Sequence, residues 1–239
     1  TGHLHCADGS AVLEIIHAET AAPQAGALEA LHAALMGIPS IEEAAALVAR
    51  AVRRETGYDR VMVYRFDEDG SGVVIAEERR ADMDPYLGLH YPKSDIPEQA
   101  RALYLRTRVR VLVDARYQPV PVHPMLNPRT GRPLDMSRCV LCAMSPVHME
   151  YLQNMGVRAT LVASIILHGA LWGLIACHHD EPKSPGEESQ RFLEHSAEVL
   201  AEQRVGRATE HQQQIVGVLA VEGERPGEVD RVDGRLQPR

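Results

Sequence analysis

Residues 158–179 read RATLVASIILHGALWGLIACHH, and the pair at the centre of this stretch decides the fold. From Ala159 to Cys177 the sequence is apolar at most of 19 positions, close to the length of a membrane helix. It also contains Thr160, Ser164, His168 and Gly169. His168-Gly169 divides two runs with strand composition, so the stretch predicts a hairpin of Arg158–Leu167 with Ala170–His179. A chain whose most apolar segment is a hairpin has a β-sheet at its centre.

Further strands lie upstream. Arg60–Phe66 (RVMVYRF) and Val73–Glu78 (VVIAEE) flank the turn Asp67-Glu68-Asp69-Gly70, and Val109–Val113 adds another. Helices alternate with them. Residues 26–36 (GALEALHAALM) repeat Leu28, Leu31 and Leu35 on one face. Ser40 with Glu43 forms a capping box for a helix that stops at Gly57. Pro97 suits the first turn of a helix over Glu98–Arg106, and Ser145-Pro146 opens one over Val147–Met155, closed by Gly156. Ser184-Pro185-Gly186-Glu187 starts a long helix running to about Leu219. Residues 116–135 hold five prolines and read as a long ordered excursion. This order predicts an α+β fold: a central antiparallel β-sheet flanked by helices, with a long C-terminal helix. Ala11–His17 reads as one short strand whose sheet partners lie elsewhere. The tail from residue 221 is rich in Gly, Pro and charge and is expected to be disordered.

The chain of 239 residues has room for one medium domain with appendages, and 45% apolar with 24% charged residues suits a globular core. A formal charge of -8 excludes a general nucleic-acid binder, which needs a basic stripe. The sequence opens on Thr1 without a charged-then-apolar leader. With four cysteines, the expectation is a piece of a cytoplasmic protein with reduced thiols and no membrane span.

Cys139-Val140-Leu141-Cys142 is half of a zinc motif, and Cys177-His178-His179 lies on a strand, so free thiols are expected. Ser145, His148 and Asp95 lack the G-x-S-x-G elbow of a hydrolase. Tyrosines outnumber phenylalanines seven to two. Each brings an apolar face and a polar tip, which suits a pocket for a flat conjugated ligand, although any single hydroxyl could simply reach solvent. Arg101, Arg106, Arg108 and Arg110 form one basic stretch and Arg129, Arg132 and Arg138 another; each is a carboxylate site or a solvated face. On the last helix, Phe192 with Val199 and Leu193 with Leu200 have heptad spacing. That stripe forms a dimer seam or packs on the domain's own sheet.

Three ordered motifs carry a resemblance over about residues 56–180. Tyr91-Pro92-Lys93-Ser94-Asp95-Ile96-Pro97, continuing to Tyr104, resembles the P-x-S-D-I-P motif of phytochrome GAF domains. Met144-Ser145-Pro146-Val147-His148-Met149-Glu150-Tyr151, continuing to Val157, and Leu171-Trp172-Gly173-Leu174-Ile175-Ala176-Cys177-His178-His179 resemble the same family. The resemblance, to bacterial phytochromes in particular, implies a linear tetrapyrrole, biliverdin IXα or a related bilin. It implies that His148 and the Asp95 carbonyl share a water beneath the inner pyrroles, with Ile96 and Pro97 shaping the floor. Tyr64, Tyr91 and Tyr151 would surround ring D, and His178 would donate to its carbonyl. Tyr104, Arg110, Ser145 and Thr160 would hold the propionates, and Tyr86 would line the outer pocket. Asp95 would turn its carboxylate to solvent.

The resemblance also sets boundaries: residues 1–20 as a remnant of a PAS domain, 21–186 as the GAF domain, 187–220 as a linker helix toward a PHY domain, and 221–239 as a tail. It implies a homodimer through the C-terminal helix and no enzymatic activity in this chain, a histidine kinase output belonging to the longer protein. A bilin-free GAF scaffold for dimerisation and signal relay is the alternative. Two positions depart from the family. Val147 stands where plant and cyanobacterial relatives carry the thioether cysteine, and Cys142 where relatives usually carry a second propionate-binding arginine. Cys6 does not match the attachment cysteine of bacterial phytochromes.

Overall fold

Both residues of the His168-Gly169 turn take positive φ, 49° and 78°, the backbone that fits a two-residue hairpin to the twist of its strands. The computed structural model describes residues 2–15 and 22–222. Its elements, in chain order, are β1 (Gly2–Ala7), β2 (Ser10–Ile15), α1 (Ala27–Leu35), α2 (Ile41–Thr56), β3 (Arg60–Phe66), β4 (Gly72–Arg79), β5 (His90–Tyr91), α3 (Glu98–Arg106), β6 (Val109–Leu112), α4 (Pro146–Asn154), β7 (Ala159–Leu167), β8 (Ala170–His179) and α5 (Glu187–Glu222). Six strands form one sheet in the order β5-β4-β3-β8-β7-β6, antiparallel at every pairing. Among the described residues no helix is long and apolar enough to cross a membrane.

Alternation along the strands gives the sheet two faces. Val61, Val63, Leu161, Ala163, Ile165, Ile175 and Cys177 join the main core with Leu35 of α1, Val48 and Val52 of α2, and Leu193 and Leu200 of α5. The intervening residues Met62, Tyr64, Val162 and Leu174, with Val74, form a second cluster under Tyr86, Tyr91, Ile96 and Tyr104. One face is therefore closed by helices. The other is covered by the segments that carry β5, α3 and their flanking loops.

Local signals fix the frame. The Glu43 N–H donates to Ser40 Oγ at 3.0 Å, and the Gly57 N–H donates to the Arg53 carbonyl at 2.9 Å with Gly57 at φ 65°. Both caps of α2 match the sequence.

Three elements bear on the sequence expectations. First, the strand at Ala11 has its partner within the chain. β1 and β2 form a separate hairpin around Asp8-Gly9, with Cys6 opposite Ala11 and Ala7 opposite Ser10. β1 (GHLHCA) is poor in β-branched and aromatic residues, so propensity hides it. Second, α5 begins at Glu187, where the linker helix is expected, and continues to Glu222, so residues 221 and 222 of the expected tail (221–239) are helical; residues 223–239 lie outside the described residues. Third, Phe192, Leu193, Ala197, Leu200 and Ala201 are buried in the main core, with Val199 packed against it. The heptad stripe packs on the domain's own sheet and is not a dimer seam at these positions. The compact unit that holds the sheet extends to Gln203.

Burial separates two classes of leucine. Leu161 and Leu193 are fully buried, while Leu13 on β2 is exposed. Leu161→Ala and Leu193→Ala should each lower stability by about 2–5 kcal/mol, and Leu13→Ala by less than about 0.5 kcal/mol, as read from urea unfolding midpoints. Leu200→Asp should unfold the domain instead of releasing monomers, which circular dichroism checks.

Candidate functional site

The strand register writes the second face of the sheet as three rows. The first runs Leu112, Thr160, His178, Arg60 and Arg79. The next runs Arg110, Val162, Ala176, Met62 and Glu77. The third runs Ser164, Leu174, Tyr64 and Val74. A polar row thus borders a mixed row, which in turn borders an apolar row. Two glycines make room for Tyr64. A Cβ on Gly173 would run into its carbonyl, and a Cβ on Gly72 into its ring.

Aromatic side chains line this floor. The Tyr64 and Tyr91 ring centroids lie 5.8 Å apart. His148 stacks on Tyr151 at 6.3 Å with 19° between planes. The Arg60 guanidinium sits 3.6 Å over the Tyr86 ring, and that of Arg110 lies 5.9 Å from the Tyr104 ring. The Arg101 Nε–H donates to the Ile96 carbonyl at 2.8 Å, and Ser164 Oγ donates to the Tyr104 carbonyl at 2.8 Å. These two bonds tie α3 and the loop before it to the site.

Burial sets the protonation states. His178 is 8% exposed; desolvation, with Arg60 and His148 nearby, holds its pKa down at about 3. Desolvation also lowers that of His148. Tyr64 and Tyr91 are pushed up to about 12, chiefly by burial, and Tyr104 and Tyr151 rise for the same reason. At neutral pH these histidines and phenols are uncharged. A neutral imidazole keeps one N–H donor and one acceptor.

The fixed charges behave differently from one another. Arg60 donates to Glu77 Oε1 at 2.6 Å, and Glu77 Oε2 accepts the N–H groups of Tyr86 at 2.8 Å and Leu87 at 3.0 Å. That buried pair is internally neutral. Arg110 is 7% exposed. One of its amino groups donates to Cys142 Sγ at 3.1 Å, while Nε and the other amino group are buried without partners. A buried cation with free donors favours an anion beside it, and a carboxylate matches a guanidinium edge in two-point geometry.

Of the residues picked from sequence, Tyr64, Arg110, Thr160 and His178 are buried on this face. Tyr86, Tyr91, Ile96, Tyr104 and His148 are half-buried around it. Asp95, Pro97, Ser145 and Tyr151 are exposed. Asp95 still lies close enough to raise the Tyr64 and Tyr151 pKa values by its charge. Ser145 stands at the N-cap of α4 but makes no side-chain cap bond. Its expected capping role is thus absent, and its hydroxyl is left for other partners.

Arg60, Glu77 and Met62 were missed. The signal for Arg60 is the alternation Arg60, Met62, Tyr64 in RVMVYRF, which puts all three on one face. Glu77 is harder to find, because the ladder shifts register between Val63 and Tyr64. No hydrogen bond joins Ser145 to His148 among the described residues. Cys177 faces the main core and His178 the other face, so the Cys139/Cys142/Cys177 zinc grouping is not assembled. All four cysteines are free thiols.

The GAF domain family model matches residues 40–203, more than half of the chain. The chain belongs to the GAF domain family. Within it, this GAF domain is 59% identical over 144 residues to a bacteriophytochrome of Xanthomonas campestris pv. campestris, an alignment covering 60% of this chain and 23% of that protein. It is 54% identical over 149 residues to cyanobacterial phytochrome B of a Nostoc species, covering 62% and 20%. The chain thus spans less than a quarter of the length of these relatives. Its fold matches the chromophore-binding domain of a bacteriophytochrome from R. palustris with a TM-score of 0.83 at 37% identity, covering 88% of this chain and 70% of that one. The corresponding domain of Stigmatella aurantiaca phytochrome P1 gives a TM-score of 0.77 at 38% identity, covering 84% and 68%.

His178 makes the GAF domain sensitive to acid. Its folded pKa lies below its unfolded value of 6.5. Between those values the unfolded chain binds the extra proton, so stability is fully present above pH 6.5 and falls as pH drops toward 3. The slope from this group should be about 1.4 kcal/mol per pH unit. His178→Gln should remove that slope in urea titrations at stepped pH.

Proposed function

We propose that this GAF domain is a photosensory module that binds a linear tetrapyrrole of the biliverdin type on the second face of its sheet. The observation that carries the reading is Arg110, a buried cation with unpaired donors on a tyrosine-lined face, in a chain whose relatives are named phytochromes. A bilin carries two propionates and a flat conjugated system, and this face offers a partner to each.

The residues divide by chemistry. Arg110, with Tyr104, Thr160 and Ser145, would hold the propionates. Tyr64, Tyr91 and Tyr151 would surround the terminal ring, and neutral His178 would give its one N–H to that ring's carbonyl. His148 and the Asp95 carbonyl would share a water with the pyrrole N–H groups, with Ile96, Pro97 and Tyr86 completing the walls. A bound bilin supplies absorption of visible light and isomerisation about a methine bond. The protein supplies apolar faces that permit rotation and hydroxyl tips that can change partners.

Covalent attachment is not needed for occupancy. At about 0.3 kcal/mol for each of roughly 40 heavy atoms, non-covalent binding reaches about 12 kcal/mol at most, or about a nanomolar constant.

The longer protein would add PHY and output domains and work in the cytoplasm. Pairing of two copies through α5 belongs to the same proposal and would use other residues than Phe192, Leu193 and Leu200, which are buried in the main core.

Mixing the purified chain with biliverdin should produce a sharpened, red-shifted absorption band; an unchanged spectrum would overturn the proposal. Arg110→Ala should weaken binding by about tenfold or more, the cost of a charge-assisted hydrogen bond. A mass increase of one bilin after denaturation would reveal attachment to a cysteine of this chain.

A further inference from the structure

We infer that His5, Glu14 and Cys139 form a binding site for a thiophilic divalent metal ion such as zinc, away from the bilin face. The three residues come from β1, β2 and the segment that leads to α4. His5 lies between the other two: Nε2 is 3.7 Å from Cys139 Sγ and Nδ1 is 3.8 Å from Glu14 Oε1. One donor atom from each residue falls within a common 4.8 Å. Donors around tetrahedral zinc, with bonds of about 2.3 Å to sulfur and 2.0 Å to nitrogen, stand roughly 3.5 Å apart. His5 turns different nitrogens to Cys139 and Glu14, so one ion would draw the three donors, now within 4.8 Å, together by up to about an ångström.

The donors are enclosed and held. Cys139 is buried and the His5 and Glu14 side chains are 14% and 8% exposed. Glu14 accepts the Val140 N–H on Oε1 at 3.1 Å and the Leu141 N–H on Oε2 at 2.8 Å. These bonds orient the carboxylate as outer-shell partners do in metal sites. The hairpin is fastened to the proline-rich excursion by three further bonds. Asn127 Nδ2 donates to Ser10 Oγ, Arg129 donates to the Gly9 carbonyl, and the Asp135 N–H donates to Asp8 Oδ2. His3 stands opposite Glu14 in the register, and its Nε2 is buried without a partner.

The chemistry balances without an oxidant. The Cys139 S–H bond breaks, its proton leaves to solvent, and the sulfur electron pair forms the bond to the metal. Binding therefore releases a proton at neutral pH. Cys142, three residues on, contacts Arg110, so the metal would stiffen the segment that borders the bilin face.

Cobalt(II) added to the bilin-free chain is the test. One equivalent should give a thiolate-to-cobalt charge-transfer band with tetrahedral d–d bands, and zinc should displace it. Cys139→Ser should abolish the charge-transfer band, and Cys142→Ser should retain it. Loss of an outer-shell group costs about 10–100-fold in affinity, so His5→Ala should cost no less. Zinc should also raise the Tm of the unaltered chain, and a chelator should reverse the rise. No band in the unaltered chain, a band that survives Cys139→Ser, one lost in Cys142→Ser, or a Tm indifferent to zinc would each overturn the assignment and leave His5 and Glu14 as an ordinary hydrogen-bonded pair.

Discussion

Neighbouring residues of a strand point to opposite faces of its sheet, and β3, β7 and β8 rely on that rule to keep two unlike environments apart. In β8, Ile175 and Cys177 enter the apolar core while Leu174, Ala176 and His178 face the site. In β7, Leu161 and Ala163 go one way, Thr160, Val162 and Ser164 the other. A slip of one residue would exchange the two sets, burying His178 and Thr160 among leucines. Register is therefore the constraint on which core and site both depend. The close approach of Gly173 to the Tyr64 backbone helps to hold it, because no other residue fits there.

This arrangement explains why much of the fold is legible in the sequence. The β7–β8 hairpin, the β3–β4 pair and the α2 caps rest on local chemistry: a positive-φ turn, alternation along β3, a serine three residues before a glutamate. The same alternation places Arg110, Thr160 and His178 on one face. What escapes local reading is set by partners distant in sequence. β1 is a strand because β2 returns beside it. The stripe on α5 has the spacing of a dimer seam, yet its partners are α1, α2 and the sheet. A heptad states which residues share a side and not what lies opposite. Arg60 and Glu77 are ordinary surface types in strands, and only their burial as a pair makes them part of the floor.

Neutrality is the common feature of the site. Its phenols and imidazoles are held uncharged by desolvation, and Arg60 is answered by Glu77. The face is thus mostly a surface of weak dipoles, and Arg110 is a buried cation on it whose Nε and one amino group have no partner.

The hairpin at the N-terminus bears on the order in which the molecule forms. Ser10 and Asn127 are 117 residues apart in sequence, and His5 and Cys139 are 134 apart. Closing such loops costs chain entropy before any contact returns it, although each doubling in length adds only about 0.6 kcal/mol. The sheet can assemble from short hairpins first. The proline-rich excursion completes its contacts only when the N-terminal hairpin arrives, so this seam is expected to close late in folding and to open early in local unfolding.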